Sequence, residues 1–152
     1  MVDRDFGGRA SLGTMTISRS FVNICSDRLP ETRDFYVELL GFEVGFDSDW
    51  FVQLSAADSD ATIGIMRRDH ELVPEQVRGA ASGSYVTVVV DDVEPVFTRA
   101  EELGVQVIEP PTDLFYGQRR MLVIDPNGVL VDVSSPTAPA PVSEELGASD
   151  GG

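Results

Sequence analysis

The chain has 152 residues, 42% of them hydrophobic, enough for one folded domain with a real core and too many for a wholly disordered chain. Eleven Lys plus Arg stand against 26 Asp plus Glu, a formal charge of -15 that repels phosphate backbones and anionic bilayers, so nucleic acid and membrane surfaces are excluded as favoured partners, while a cationic small molecule would be attracted. A single cysteine, Cys25, cannot close an intramolecular disulfide, and no leader or long apolar span is visible, so a reducing cytoplasm is the expected location.

Residues 1–16 show no sustained hydrophobic period and read as a flexible arm, with Met15 as a natural start. The ordered chain is expected over 17–135, as module one (about 17–68), a linker (about 69–83) and module two (about 84–135). From Pro136 onward Pro, Ala, Gly and acidic residues predict a disordered tail, 136–152.

Module one opens with the strand "SFVNICS", in which Phe21, Asn23 and Cys25 share one face and Val22 and Ile24 the other. An amphipathic helix follows from about Pro30 to Leu40, placing Phe35, Leu39 and Leu40 inward and stopping at Gly41. The stretches "WFVQLSA" and "ATIGIMR" then predict strands, with "ADSD" as their turn. After the linker, long enough to cover a cleft or to cross to a second chain, the pattern returns. "SYVTVVV" sets Tyr85, Thr87 and Val89 against Val86, Val88 and Val90, and a helix from about Val93 to Leu103 buries Val93, Val96, Phe97, Ala100 and Leu103 before Gly104. "QRRMLVI" and "VLVDVSS" predict two further strands, joined by Asp125-Pro126-Asn127-Gly128, a strong turn signal. With a second strand directly after each helix, in "GFEV" and in "GVQVI", the repeat is βαβββ twice, and two such units related by a pseudo-twofold axis would enclose a cleft. Alternation proposes Phe21, Asn23, Cys25, Trp50, Val52, Met66, Tyr85, Thr87, Met121 and Asp132 as cleft-facing, with Phe115 and Tyr116 in the loop ahead of a strand; Phe51 competes with Trp50 for its face.

"FVNICSDRLPETRDFYVELLGFEV", with its FY-x-x-x-LGF pattern, together with "VTVVVDDVEPVFTRAEELGVQV" and the DPNG-bearing "YGQRRMLVIDPNGVLVDV", resembles the vicinal oxygen chelate superfamily, home of glyoxalase I, extradiol dioxygenases, fosfomycin-modifying enzymes and bleomycin resistance proteins. The resemblance covers almost the whole ordered chain. It implies an α+β fold of paired βαβββ modules forming a U-shaped cleft, often across a homodimer. Family enzymes hold a divalent metal with a His on the first strand of each module and a Glu on the last strand of the second. Here those positions fall at Phe21 (or Ser20), Tyr85 and Asp132, and the counterpart of Asp132 in module one lies near Ile65 or Met66.

The one histidine, His70, sits in the linker and reads as a solvated residue, so two imidazoles cannot be supplied and neither a metal nor another cofactor is expected. Asp132 would receive hydrogen bonds from a ligand or from Tyr85, attract a cationic group, or pair with Arg119 or Arg120. Aromatic walls with a few polar groups suit a flat, partly conjugated ligand. The resemblance therefore implies a metal-free small-molecule-binding protein, a homodimer that sequesters a hydrophobic or aromatic antibiotic. The alternative is a glyoxalase-like enzyme of lyase, isomerase or dioxygenase type, using Tyr85 and Asp132 as acid and base or an atypical metal site.

Overall fold

A computed structural model describes residues 15–137; the predicted arm (1–16) lies outside the described residues up to residue 14 and the predicted tail (136–152) from residue 138 on, whereas Pro136, assigned to the tail, ends the last strand. Strands β1 (Val22–Ser26), β2 (Glu43–Asp47), β3 (Phe51–Ser55) and β4 (Thr62–Arg67), with helix α1 (Leu29–Leu40), form the first unit. Strands β5 (Val86–Val89), β6 (Gln106–Leu114), β7 (Gln118–Ile124) and β8 (Leu130–Pro136), with helix α2 (Val93–Leu103), form the second. Their sheets have the same order, β1-β4-β3-β2 and β5-β8-β7-β6, each with its first strand parallel to its last and the others antiparallel. The predicted βαβββ repeat is therefore present at the level of strand pairing.

Each helix forms for local reasons. Pro30 lies in the first turn of α1, where its missing N–H breaks no helical bond. Buried Leu29, Thr32, Phe35, Tyr36 and Leu39 recur at helical spacing, and Gly41 ends the helix at φ 81°, a left-handed conformation that costs glycine nothing. The Phe42 N–H then reaches back to the Tyr36 carbonyl at 3.3 Å and satisfies one of the last free acceptors. In α2 the Asp92 side chain caps the Glu94 N–H at 3.0 Å, and Val93, Val96 and Ala100 face inward. Leu103, expected inside, is instead exposed at the end of α2.

Both units contribute to one core. Ile24, Leu39, Leu54 and Ile65 from the first pack in the same cluster as Val93, Ala100, Met121, Val131 and Val133 from the second. A polar network crosses the boundary between them. Tyr36, completely buried, donates its hydroxyl to Asp125 Oδ2 at 2.9 Å. Asp125 Oδ1 accepts the backbone N–H groups of Asn127 and Val129 at 2.7 and 2.9 Å. The Asn127 amide in turn donates to Thr32 Oγ1 at 3.0 Å, and Thr32 bonds Ser26 Oγ at the end of β1, also at 3.0 Å. The DPNG turn is thus bolted to α1 of the other unit.

Replacing Tyr36 by Phe keeps the ring and removes a donor to a buried carboxylate, a loss of about 1.5–3 kcal/mol expected in urea denaturation. Burial first, then the charge of Asp125 and the hydrogen bond to it, push the Tyr36 hydroxyl above its ordinary value. Below the unfolded tyrosine pKa, near 10, both states hold the proton; above it the unfolded chain releases a proton that the folded chain retains, so stability falls as pH rises. That alkaline loss should be smaller in Tyr36→Phe than in the parent, as read from paired urea titrations at pH 8 and pH 11.

Candidate functional site

Strand β1 pairs only with β4, and β5 only with β8, so each of the two is an edge strand of its sheet, β2 and β6 being the opposite edges. Between the β1 and β5 edges opens a cleft of about 730 Å³, within the range of drug-sized binding sites. Both faces of the two edge strands line it, Phe21, Asn23 and Cys25 together with Val22 and Ile24 on one side, and Tyr85, Thr87 and Val89 together with Val86 and Val88 on the other. Phe42, Ile63 and Val129 add apolar surface, Asp60 and Arg68 add charge, and Gln76, Val77 and residues 79–82 of the linker close a further side.

The register within each sheet sets the polar groups near the cleft. In the second unit Thr87 lies opposite Asp132, and in the first Asn23 lies opposite Gly64. Gly64, rather than Ile65 or Met66, is therefore the counterpart of Asp132. A Cβ on Gly64 would stand 2.1 Å from Asn23 Oδ1 and 3.1 Å from the Phe51 ring, so the amide of Asn23 occupies the space that a side chain on β4 would need. In the second unit the arrangement is reversed. β8 supplies the carboxylate, 7% exposed, and it accepts Ser134 Oγ on Oδ1 and Thr87 Oγ1 on Oδ2 at 3.4 Å. Asp132 thus stands directly behind the cleft wall formed by Thr87.

Neither expected partner engages Asp132 directly. Its hydrogen bonds come from Ser134 and Thr87, not from Tyr85. Arg119 pairs with Glu94 and Asp113, and Arg120 with Glu109 at 3.1 Å. The Arg120 guanidinium is held in its charged form chiefly by the Glu109 hydrogen bond, with the Glu109 and Asp132 charges adding to it, and its buried Nε has no hydrogen-bond partner among the described residues.

Of the residues proposed from sequence, Phe21, Asn23, Tyr85 and Thr87 come together in the cleft, and Arg19 lies over the Phe21 ring at 4.9 Å. Two others are corrected by strand phase. Met121 is completely buried in the core, because it lies opposite Val133, which also faces inward; Val52 is likewise a core residue, leaving Phe51 on the opposite face of β3. Trp50 precedes β3, half-buried and outside the cleft lining, stacked on His70 with centroids 4.3 Å apart. His70 is therefore half-buried rather than solvated, and its Nδ1 accepts the Leu72 N–H at 3.1 Å. Met66 lies on β4 opposite Cys25 and Phe51. Phe115 and Tyr116 form an edge-on aromatic pair in the β6–β7 turn, 91% and 57% exposed. Arg68 lines the cleft without a signal in the sequence; the linker takes the covering position, one of the two that its length allows, with small residues at "GAASG".

The residues at the positions where the resemblance places metal ligands do not fit a His-His-carboxylate set. Phe21 has no donor atom, Tyr85 offers a phenol, and Asp132 is engaged by two hydroxyls. Among the described residues no group of three or more His, Cys, Asp or Glu is placed to hold an ion.

The model of the Glyoxalase/Bleomycin resistance protein/Dioxygenase superfamily matches residues 19–133. No curated protein matches the chain in sequence. Among solved structures, a glyoxalase/bleomycin resistance protein/dioxygenase family enzyme from Burkholderia phytofirmans PsJN aligns with a TM-score of 0.67 at 20% identity, covering 77% of this chain and 97% of its own. A superfamily member from Sphaerobacter thermophilus DSM 20745 gives 0.64 at 23%, covering 80% and 98%. TnmS3, described as an antibiotic binding protein from Streptomyces sp. CB03234, gives 0.62 at 22%, covering 81% and 98%. At these identities the likeness is one of fold.

The packing of Asn23 over Gly64 is testable without a ligand. Gly64→Ala should destabilise the protein by about 1 kcal/mol, because the added methyl forces the exposed Asn23 amide to swing aside and the Phe51 ring to give. In an Asn23→Ala background the same substitution should cost clearly less, and a double-mutant cycle by urea denaturation measures the coupling.

Proposed function

Because the chain belongs to the Glyoxalase/Bleomycin resistance protein/Dioxygenase superfamily, we propose that it uses the cleft of this fold to bind a small hydrophobic or aromatic molecule without a metal, and that sequestration of an antibiotic is its role. The observation that carries this reading is the side-chain set at the cleft. Phe21 and Tyr85 stand where the resemblance places imidazole ligands, and Asn23 and Thr87 stand beside them. Such a set offers stacking surface and hydrogen bonds, which suffice for retention, and includes no hydrogen-bonded nucleophile and base. The only histidine is occupied against Trp50, away from the cleft.

Asp132 behind Thr87, together with the net charge of -15, favours a ligand carrying a cationic group. Exposed Phe115, Tyr116, Phe46 and Ile108 give apolar surface that a second copy of the chain would cover, which supports a homodimer. A lone free thiol, Cys25, accords with a cytoplasmic protein; no helix of the described residues is long and apolar enough to cross a membrane. The fold-level likeness to TnmS3 is in keeping with antibiotic binding.

The test is calorimetric titration with a panel of bleomycin-type, mitomycin-type and enediyne antibiotics, with mass analysis of the recovered compound and a parallel series in EDTA. The expected outcome is saturable binding, insensitive to chelation, with the compound recovered unchanged. Tyr85→Ala and Asn23→Ala should each weaken that binding by about 1 kcal/mol or more, roughly fivefold, with unfolding still cooperative. A changed mass, or activity lost on chelation, would move the protein to the enzyme class.

A further inference from the structure

The linker is not uniform. Over 67–79 it is tied to itself: the His70 N–H bonds the Arg67 carbonyl and the Val73 N–H the His70 carbonyl, both at 3.0 Å, and Arg78 donates to the Val73 and His70 carbonyls, both at 2.9 Å. Val73 is buried at 2% exposure and anchors this part. Beyond Gly79 the character changes. Among the described residues no backbone hydrogen bond outside the regular elements involves residues 80–85, and Gly83 takes φ 84°. Ala80, Ala81, Ser82 and Ser84 nevertheless line the cleft.

One side chain joins the two parts to the sheet. Arg68 follows β4 directly, and its guanidinium makes four hydrogen bonds: Nη2 to the Cys25 carbonyl of β1 at 2.9 Å, Nη1 to the carbonyls of Arg78 and Gly79 at 3.0 and 2.6 Å, and Nε to Asp27 at 3.2 Å. A planar group with several fixed donors can hold several carbonyls at once, which a lysine ammonium on the same stem cannot do with the same geometry. The three carbonyls belong to the cleft edge and to the last tied residues of the linker, so the bonds hold the linker to the cleft edge.

We infer that Arg68 is the positioning residue of the cleft, clamping the linker to β1, and that the strap 80–84 beyond the clamp is the gate by which a ligand enters. That a ligand enters at this strap rests on the binding function proposed above, whereas the clamp by Arg68 holds whatever the ligand is. Cys25, the only cysteine, lines the cleft next to the clamp and serves as a built-in probe of access.

The experiment compares the full chain with Arg68→Met and Arg68→Lys, using thiol labelling by N-ethylmaleimide and by a bulky fluorescein maleimide, together with amide hydrogen exchange. In Arg68→Met, labelling by the bulky reagent should rise about tenfold and by the small one less, while exchange accelerates at the hydrogen-bonded linker amides of Val77 and Arg78 and not in β1, β4 or β5, as expected for a local opening made easier. Arg68→Lys should fall between the parent and Arg68→Met. Unchanged labelling and exchange, or acceleration spread equally over β1, β4 and β5, would overturn the inference. Should Arg68→Met fail to fold, Arg68→Lys and the parent decide: Arg68→Lys must label faster with the bulky reagent and exchange faster at Val77 and Arg78 than the parent, and equal rates would overturn it.

Discussion

The carboxylate of Asp125, 3% exposed, accepts four hydrogen bonds, from the Tyr36 hydroxyl, the backbone N–H groups of Asn127 and Val129, and the Asn127 amide. A buried charge is tolerated only when its acceptor sites are filled, so the position of this group dictates its surroundings. Two of its partners shape the β7–β8 turn, and one reaches across from α1. The turn cannot move relative to α1 without stranding the carboxylate, and through Asn127, Thr32 and Ser26 the same constraint reaches the end of β1. The separation of the β1 and β5 edges, and hence the cleft, depends on it.

Much of the fold was legible because its signals are local. Alternation in "SFVNICS" and "SYVTVVV", helical spacing before Gly41 and Gly104, and the DPNG turn each report on a few neighbouring residues, and their repetition gave the paired architecture. What failed was phase within continuous apolar runs. In "MLVI" no polar residue marks the outer face, so Met121 could be assigned to either side. Asp132 between Val131 and Val133 does mark it, and antiparallel pairing across the hairpin carries that phase to β7, placing Met121 with Val133. Tyr36 was passed over for a related reason: the helical pattern selects Phe35 and Leu39 readily, whereas the burial of Tyr36 depends on an acceptor 89 positions along the chain.

The chain's eleven basic residues are all arginines, and several act on the main chain. Arg68 and Arg78 hold linker carbonyls, and Arg99 on α2 donates to the Leu39 carbonyl of α1 at 3.0 Å. These contacts bind segments with no regular pairing of their own. Carbonyl acceptors are anonymous in a sequence, since every residue has one, which is why the length of "RRDHELVPEQVRGAASG" allows it to cover the cleft but the arginine bonds that hold it there could not be read. Carboxylate partners are abundant but mostly exposed, and such pairs contribute little to stability.

The pairing of Asn23 with Gly64 on one side and of Thr87 with Asp132 on the other breaks the twofold relation between the units where they meet the cleft. One wall presents a neutral amide and the other a hydroxyl backed by a negative charge. A guest turned end for end would exchange these environments, so the two poses would differ in energy although the two sheets share one strand order. A cleft assembled from duplicated halves thereby acquires a direction, and an asymmetric molecule can be held in one orientation by side chains alone.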